Sequence, residues 1–474
     1  MSADRSRPNV LVFFTDDHAQ WALGCYGHPA VRSPTIDWLS REGATFDNAF
    51  TPSPVCSPAR ATFWTGLFPS AHGIHDYIFE PEHDETHPGL KGQTTLGERL
   101  RGVGYQTALI GKWHRAHCNT PRPGFDRWLV NRRTQAHPLL QSFSDQGEWI
   151  ERFGQQAPML TGYATDWLET WAESQRDDPF FLFVGYTDTH TPLDCLPEEL
   201  VAYYRADPRV RAISEPFSPA HGTQRFIDQP DPERARDRMC QYLAAVTHID
   251  RQIAAVLDRL AKLGELDNTL IVYSSDHGHG NGYRGIQTKG NDTVPCNFLE
   301  PSIRVPLVMR LPGTIDRGVR HEAMVDHTDT FATLLDFAAA PFDGRTDGHL
   351  SPGASLLPRL RGESGKARAF QFGEYGNARM IRSERFKLIE RYPGPNGHFP
   401  DELYDLRADP EESVNVIDEP EYAGDAATLR YELARFFEAH QVEARRGDRI
   451  AEQPPCNPSE TWRLSTDVEP MVQR

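Results

Sequence analysis

Asn9-Val10-Leu11-Val12-Phe13-Phe14-Thr15-Asp16-Asp17 is a near-continuous apolar run, rich in β-branched and aromatic side chains, that stops at two acids. A strand with one wet face alternates polar and apolar residues. A run that is apolar on both faces reads instead as a strand buried on both sides, the habit of parallel sheets covered by helices. Three further segments repeat the pattern: Tyr105-Gln-Thr-Ala-Leu-Ile-Gly-Lys112-Trp-His114, Phe180-Phe-Leu-Phe-Val-Gly-Tyr-Thr-Asp-Thr-His190 and Asn268-Thr-Leu-Ile-Val-Tyr-Ser-Ser-Asp276-His277. Each ends in groups able to bind a metal or an anion.

Helical patterns lie between these runs. Pro34 to Gly43 has proline at its start and glycine after its end, and Thr94 to Gly104 spaces Leu96, Leu100 and Val103 four and three apart. Asp166 to Ser174 reads as helix. The strongest period runs from Arg236 to Leu263, where Leu243, Val246, Ile249, Ile253, Val256, Leu257 and Leu260 recur at three- and four-residue steps. Alternating strands and helices predict an α/β fold, a mostly parallel sheet covered by helices on both faces. Ligands in such sheets sit at the carboxyl ends of the strands, which here carry Asp16, Asp17, Lys112, His114, His190, Asp276 and His277. Acids are common in turns, but turn chemistry alone does not load all four strand ends with such residues. Lys112 and His114, two apart, are expected to face one side of an extended chain.

Residues 117 to about 162 and 193 to 235 lack a clear period and read as a surface insertion and a long connection. Ile303 to Arg310 is expected as a fifth strand. Beyond about residue 365 the style changes: Arg379 to Glu390 reads as a hairpin, Glu402-Leu-Tyr-Asp-Leu as a short strand, and Ala426 to Ala444 as a helix. The expected division is a catalytic α/β domain over 1–365 and a smaller C-terminal α+β unit with an antiparallel sheet over 366–474.

Cys56-Ser57-Pro58-Ala59-Arg60 runs from a proline-rich loop into a helix, with Pro58 acceptable in the first turn because its missing amide hydrogen would be unpaired there anyway. The thiol therefore sits at a helix N-terminus, where the dipole, free amides and Arg60 favour an anion. An isolated cysteine is more often a small buried apolar residue. Cys-x-Pro-x-Arg, with Ala61, Thr62, Thr65 and Gly66 following, resembles the signature of the type I sulfatases of the alkaline-phosphatase-like superfamily. Gly111-Lys-Trp-His114, the His190 segment, Ser275-Asp-His-Gly278, Lys289-Gly290, Ile303-Arg-Val-Pro-Leu307 and Glu402-Leu-Tyr-Asp-Leu extend the resemblance over most of the chain.

That resemblance implies that Cys56 is converted to formylglycine (3-oxoalanine) by a maturation enzyme and works as the aldehyde hydrate. It implies one divalent metal on Asp16, Asp17, Asp276, His277 and modified Cys56: Ca²⁺ first, with Mg²⁺ or Mn²⁺ as alternatives. Many relatives have asparagine in place of His277, and a histidine ligand brings Mn²⁺ further into range. Arg60, Lys112, His114, His190 and Lys289 would surround the sulfate. Lys112 would hold its oxygens, His190 and Lys289 would protonate the leaving oxygen, and His114 would take the proton of the hydrate's second hydroxyl. The implied activity is hydrolysis of sulfate monoesters. Two rivals stand beside it: a phosphonate monoester or phosphodiester hydrolase of the same superfamily, and a non-catalytic binder of sulfated glycans in which Cys56 stays a thiol.

Histidines 72 and 75, Tyr77, Arg284, Asn291 and Asp292 follow catalytic segments and are expected to line the leaving-group pocket. Such groups suit a sulfated carbohydrate or similar polar alcohol, with aryl sulfates accepted for their easy leaving groups. Histidines 83 and 87, irregularly spaced among acids, read as pocket wall or surface rather than a metal cluster.

The chain has 474 residues, 38% of them hydrophobic and 25% charged, ordinary values for a globular protein. Its formal charge of -17 argues against nucleic acid or anionic membrane as a partner. Seven scattered cysteines form no Cys-x-x-Cys pair, and the N-terminal residues show no secretion signal. A cytoplasmic location is expected, or a periplasmic one if a signal has been removed; the composition leaves monomer and homo-oligomer open.

Overall fold

The computed structural model describes residues 7–79, 86–132, 139–174, 177–193, 195–211, 222–227, 231–283, 285–365, 368–394, 398–464 and 471–472. Its centre is a ten-stranded sheet built from β1 (Asn9–Thr15), β2 (Ala44–Phe46), β3 (Gln106–Gly111), β4 (Arg127–Arg132), β5 (Leu140–Asp145), β6 (Glu148–Phe153), β7 (Phe180–Gly185), β8 (Thr269–Ser275), β9 (Leu307–Arg310) and β10 (Val319–His321). The spatial order is β10-β2-β9-β8-β1-β7-β3-β4-β5-β6. The four runs identified in the sequence are neighbours, β8-β1-β7-β3, and all are parallel. Thr15 is in register with Ser275, and Gly111 with Gly185, so the acids and bases that follow emerge together.

Two-sided burial explains the apolar runs. Val10, Val12 and Phe14 point into a cluster with Phe63, Trp64 and Phe331, while Leu11 and Phe13 point the other way, into Tyr242, Val246, Ile249 and Ile253. The first face is closed by the helices Cys56–Thr65 and His327–Phe337, the second by Gln156–Ser174 and the long Pro232–Lys262 helix. Asp231 caps that last helix on the amide of Glu233, with Pro232 in the first turn, so it starts four residues before its apolar period becomes visible.

Several expectations change. Residues 117–162 are not a surface insertion: Arg127–Arg132 continues the parallel sheet beside β3, with Trp128, Leu129 and Val130 fully buried, and β5 and β6 add two antiparallel strands. The helix expected at Asp166 starts at Gln156, where Ala157, Leu160, Thr161 and Ala164 already keep helical spacing on the buried side. Within 193–235 the helix Glu198–Ala206 buries Leu200, Val201 and Tyr204. Ile303 ends a helical turn, and the strand begins only at Leu307 and runs antiparallel to β8; Pro306 cannot donate to a ladder.

A second, antiparallel sheet of Gln371–Tyr375, Ala378–Arg382, Phe386–Arg391 and Glu402–Asp405 carries the helix Ala423–His440, which packs Leu429, Leu433 and Phe437 against Ile381, Leu388 and Leu403. Among the described residues no helix is long and apolar enough to cross a membrane.

Candidate active site

The site is assembled where β1, β3 and β8 end. Asp17 adopts a left-handed backbone (φ 56°), which lets two consecutive acids turn into one place instead of opposite faces. Asp16 accepts from Lys112 Nζ and lies 3.7 Å from Arg60 Nη2. Asp17 Oδ1 accepts from Lys289 Nζ at 2.5 Å and is 3.1 Å from His277 Nε2. His190 Nε2 and His279 Nδ1 lie 3.9 and 3.8 Å from Asp17 Oδ2.

Cys56 is the first residue of the helix Cys56–Thr65, whose ten side chains are all buried and which Gly66 ends in a left-handed turn. A β-carbon at Gly66 would meet the Phe331 ring at 2.5 Å, so this end of the helix seats directly on its neighbour. Cys56 Sγ is 3.2 Å from His277 Nε2 and accepts from Lys289 Nζ at 3.1 Å. One turn on, Arg60 faces back into the strand ends. Its Nε donates to Asp276 Oδ2 at 2.7 Å, Nη1 to the Lys112 carbonyl at 3.1 Å and Nη2 to the Thr15 carbonyl at 3.3 Å. With every nitrogen bonded and no exposed surface, Arg60 braces Asp276 and the ends of β1 and β3.

Charge sets the protonation states. Burial would raise the Cys56 thiol, but Lys112, Lys289 and His277 outweigh it and hold it well below the usual thiol range. Asp17 is held low despite burial by Lys289 and the histidines. Burial pushes Asp276 up to about 7 against the pull of Arg60, with Asp16 adding to the push.

These residues fit a divalent cation. Single donor atoms of Asp16, Cys56, Asp276 and His277 all lie within 4.8 Å of one another, and Asp17, Cys56 and His190 form an overlapping group. Asp16 Oδ1 is buried without a hydrogen-bond partner among the described residues. His277 Nδ1 donates to the Gly278 carbonyl at 2.9 Å, which leaves Nε2 facing Asp17 and Cys56; against the effect of burial, Asp276, Cys56 and Asp17 push this imidazole up to about 9, so its Nε2 holds a proton that a bound cation would replace.

The sulfatase family model matches residues 8–340, which include every residue of the cluster just described. The chain belongs to the sulfatase family. A second model, for the C-terminal part of N-sulphoglucosamine sulphohydrolase, matches residues 297–439 of this sulfatase. The chain is 28% identical to an N-acetylglucosamine-6-O-sulfatase of Bacteroides thetaiotaomicron over 94% of its own length and 88% of that protein's. Among solved structures, a complex of a protein with its substrate D-glucosamine-2-N,6-O-disulfate aligns with a TM-score of 0.74 at 25% identity, covering 92% of this chain and 98% of the other. The phosphonate monoester hydrolase of Agrobacterium radiobacter shares the fold at a TM-score of 0.71 and 23% identity, over 92% and 96% of the two chains. This sulfatase is a sulfuric ester hydrolase.

The residues expected as metal ligands and around the sulfate are gathered there, though not always by the expected route. Strand β3 stops at Gly111, and His114 reaches the site through a left-handed backbone (φ 56°), not along an extended chain beside Lys112. Gly111 also has positive φ, and a β-carbon there would lie 2.1 Å from the Gly185 carbonyl, so only glycine lets the two strands leave the sheet side by side. Other expected residues fall elsewhere. His72 is buried between Thr62 and Ile74, and His75 against the Arg445 carbonyl. Asn291 and Asp292 are buried too, Asp292 accepting from the amides of Gln287 and Thr288. His72, His75 and Asp292 thus brace loops, whereas Asn291 is buried with its Oδ1 unpartnered among the described residues; Arg284 and His83 lie outside the described residues.

Sequence reasoning missed His279, stacked on Tyr242 at 4.8 Å, and Tyr242 itself, whose hydroxyl donates to the Asp17 carbonyl at 2.7 Å. It also missed His327, 2.9 Å from the Asp276 carbonyl. His277-Gly-His279 carried a signal, a second imidazole two residues on. Tyr242 and His327 carried none, being embedded in apolar helical patterns.

Proposed function

We propose that this sulfatase hydrolyses sulfate monoesters of a saccharide or similar polar alcohol at Cys56 after its conversion to formylglycine by a maturation enzyme, with a divalent cation held by Asp16, Asp17, Asp276 and His277. The observation that carries this reading is the setting of Cys56 Sγ, which stands where the reacting oxygen would be. It lies at a helix N-terminus, 3.2 Å from His277 Nε2 and 3.1 Å from Lys289 Nζ, inside a cluster of metal-type donors.

The modification would supply a hydrated aldehyde at that position, and the cation would lower the pKa of its hydroxyl and draw charge from the sulfate. Three carboxylates favour a hard cation, Ca²⁺ first, with Mg²⁺ or Mn²⁺ also compatible with the imidazole. The chain's own residues do the rest. Lys112, with 10% of its side chain exposed, and Lys289 present ammonium donors on the open side of the cluster and would bind sulfate oxygens. Arg60 holds Asp276 and the ends of β1 and β3 in position from behind. His190 is the most open of the site's metal-proximal histidines, its side chain 19% exposed and its Nδ1 set 2.5 Å from the Thr191 carbonyl. That contact makes Nδ1 the donor and leaves Nε2 directed into the site, where a protonated imidazole would deliver its proton to the leaving oxygen. His114 Nε2 donates to the Ile78 carbonyl at 3.0 Å, so its Nδ1 carries the lone pair and would accept the proton of the hydrate's second hydroxyl, the step that expels sulfate and restores the aldehyde. Each of these proton transfers would contribute roughly 10² to 10⁴ in rate.

The saccharide assignment is supported by the sulfated-glucosamine relatives, and no longer by His72 and His75. The test is one preparation assayed on a panel of sulfated saccharides, an aryl sulfate and an aryl phosphonate monoester. The highest kcat/KM is expected on a sulfated saccharide. A preference for the phosphonate would replace this reading with the rival hydrolase; a preference for the arene over every sugar would remove the saccharide alone.

A further inference from the structure

Arg115 follows His114, and no part of the mechanism uses it. Its backbone neighbourhood is strained: His114, Ala116 and His117 all have left-handed φ, at 56°, 64° and 54°, though none is glycine. The strained turn directs Arg115 into the protein, where only 1% of it is exposed. The guanidinium carbon lies 3.7 Å from the centre of the Trp113 ring and 5.6 Å from that of Trp64. Nε, Nη1 and Nη2 are all buried without a hydrogen-bond partner among the described residues, and so is Nε1 of Trp64.

A guanidinium cannot shed its proton inside a protein, and aromatic faces compensate only part of the cost of burying it. Two of the charges that act on Arg115, those of Arg60 and Arg122, are also positive; the groups that act the other way are the Cys118 thiol and Asp276, and Asp276 is already engaged by Arg60. Among the described residues, neither the Arg115 guanidinium nor Trp64 Nε1 has an acceptor. Water brings two donors of its own that would need acceptors, whereas Arg115 and Trp64 offer only N–H groups. Aromatic rings crowd this position, with Trp64 to Trp113 at 5.6 Å and Trp64 to Phe125 at 5.4 Å between centres, which favours a small monatomic anion over a tetrahedral oxyanion.

We propose that Arg115 and Trp64 form a buried halide site, occupied by chloride, behind the catalytic groups. The anion would balance the cationic pair Arg60 and Arg115 and fix the strained turn from which His114 reaches the site. Lining it with Trp113 makes the position selective for a weakly hydrated, monatomic anion.

The test is crystallographic, with a solution counterpart. Crystals of the wild-type enzyme transferred into sodium bromide are expected to show an anomalous peak within hydrogen-bonding distance of both Arg115 and Trp64 Nε1, weaker in W64F. Density there without anomalous signal, or bromide only at the surface, would overturn the proposal. In solution, replacing gluconate by chloride at constant ionic strength should raise the thermal midpoint of the wild type with the logarithm of chloride concentration. R115M, which keeps a flexible apolar chain against Trp113, should not respond. Wild type and R115M responding alike would also overturn it, and because both are read as shifts, lower stability of R115M does not confuse the result.

Discussion

Arg60 donates from Nε to Asp276 Oδ2 at 2.7 Å with neither side chain exposed to solvent, so the arginine of the nucleophile helix is bound to the carboxylate that closes β8. Because a buried pair broken from one side leaves an uncompensated charge, R60A and D276A should each lose about 3–5 kcal/mol of stability. The double variant should lose less than the sum. Urea denaturation measures this, and single variants as stable as wild type would mean the pair is not a brace.

Metal binding can be read without turnover. Elemental analysis after exhaustive dialysis should find one equivalent of divalent cation in the wild type and clearly less in D16N and D276N, each of which removes one carboxylate charge while keeping its shape. Full metal content in both variants would place the cation elsewhere.

The sheet extension beyond β3 makes its own prediction. Trp128 is fully buried, stacked edge-on with Trp113 at 5.2 Å, and its indole donates to the Cys118 carbonyl. W128A should therefore cost about 3–5 kcal/mol, measured by thermal or urea unfolding; a cost below about 0.5 kcal/mol, as for surface substitutions, would return this stretch to the status of an insertion.

That strand shows where the sequence stopped being legible. Strands β1, β3, β7 and β8 were readable because both their faces are buried, which writes an unbroken apolar run. Arg127–Arg132 is six residues long, begins and ends with arginine and holds only three apolar residues, too little for a period to emerge. At the site, residues on strand ends were readable, because topology alone places them together. The role of Arg60 was not, since its direction depends on how the helix seats between β1 and β8. Nor was the fate of His72, His75, Asn291 and Asp292, whose polarity says that they bond to something without saying whether it is a substrate or the backbone of a loop.

Asp76 gives a pH-dependent test away from the metal cluster. Burial, helped by Glu460, pushes its carboxyl up to about 7 although Tyr77 N and the Tyr375 hydroxyl both donate to Oδ1 at 2.8 Å. The folded state therefore holds this proton more tightly than the unfolded chain, whose carboxyl titrates near 3.9. The stabilising contribution is complete below about pH 4 and is lost as pH rises toward 7. Its size is on the order of 2–4 kcal/mol. D76N should flatten the decline in stability between pH 4 and 7; unfolding profiles with unchanged slope would remove Asp76 as the source.

The central claim is that Cys56 works only after conversion, and the mass of the tryptic peptide ending at Arg60 addresses it directly. In an active preparation this peptide should carry an aldehyde in place of the thiol, react with a hydrazide, and resist alkylation, in a fraction that follows specific activity across preparations. Full activity from protein whose Cys56 is quantitatively alkylated as cysteine after unfolding would contradict the account.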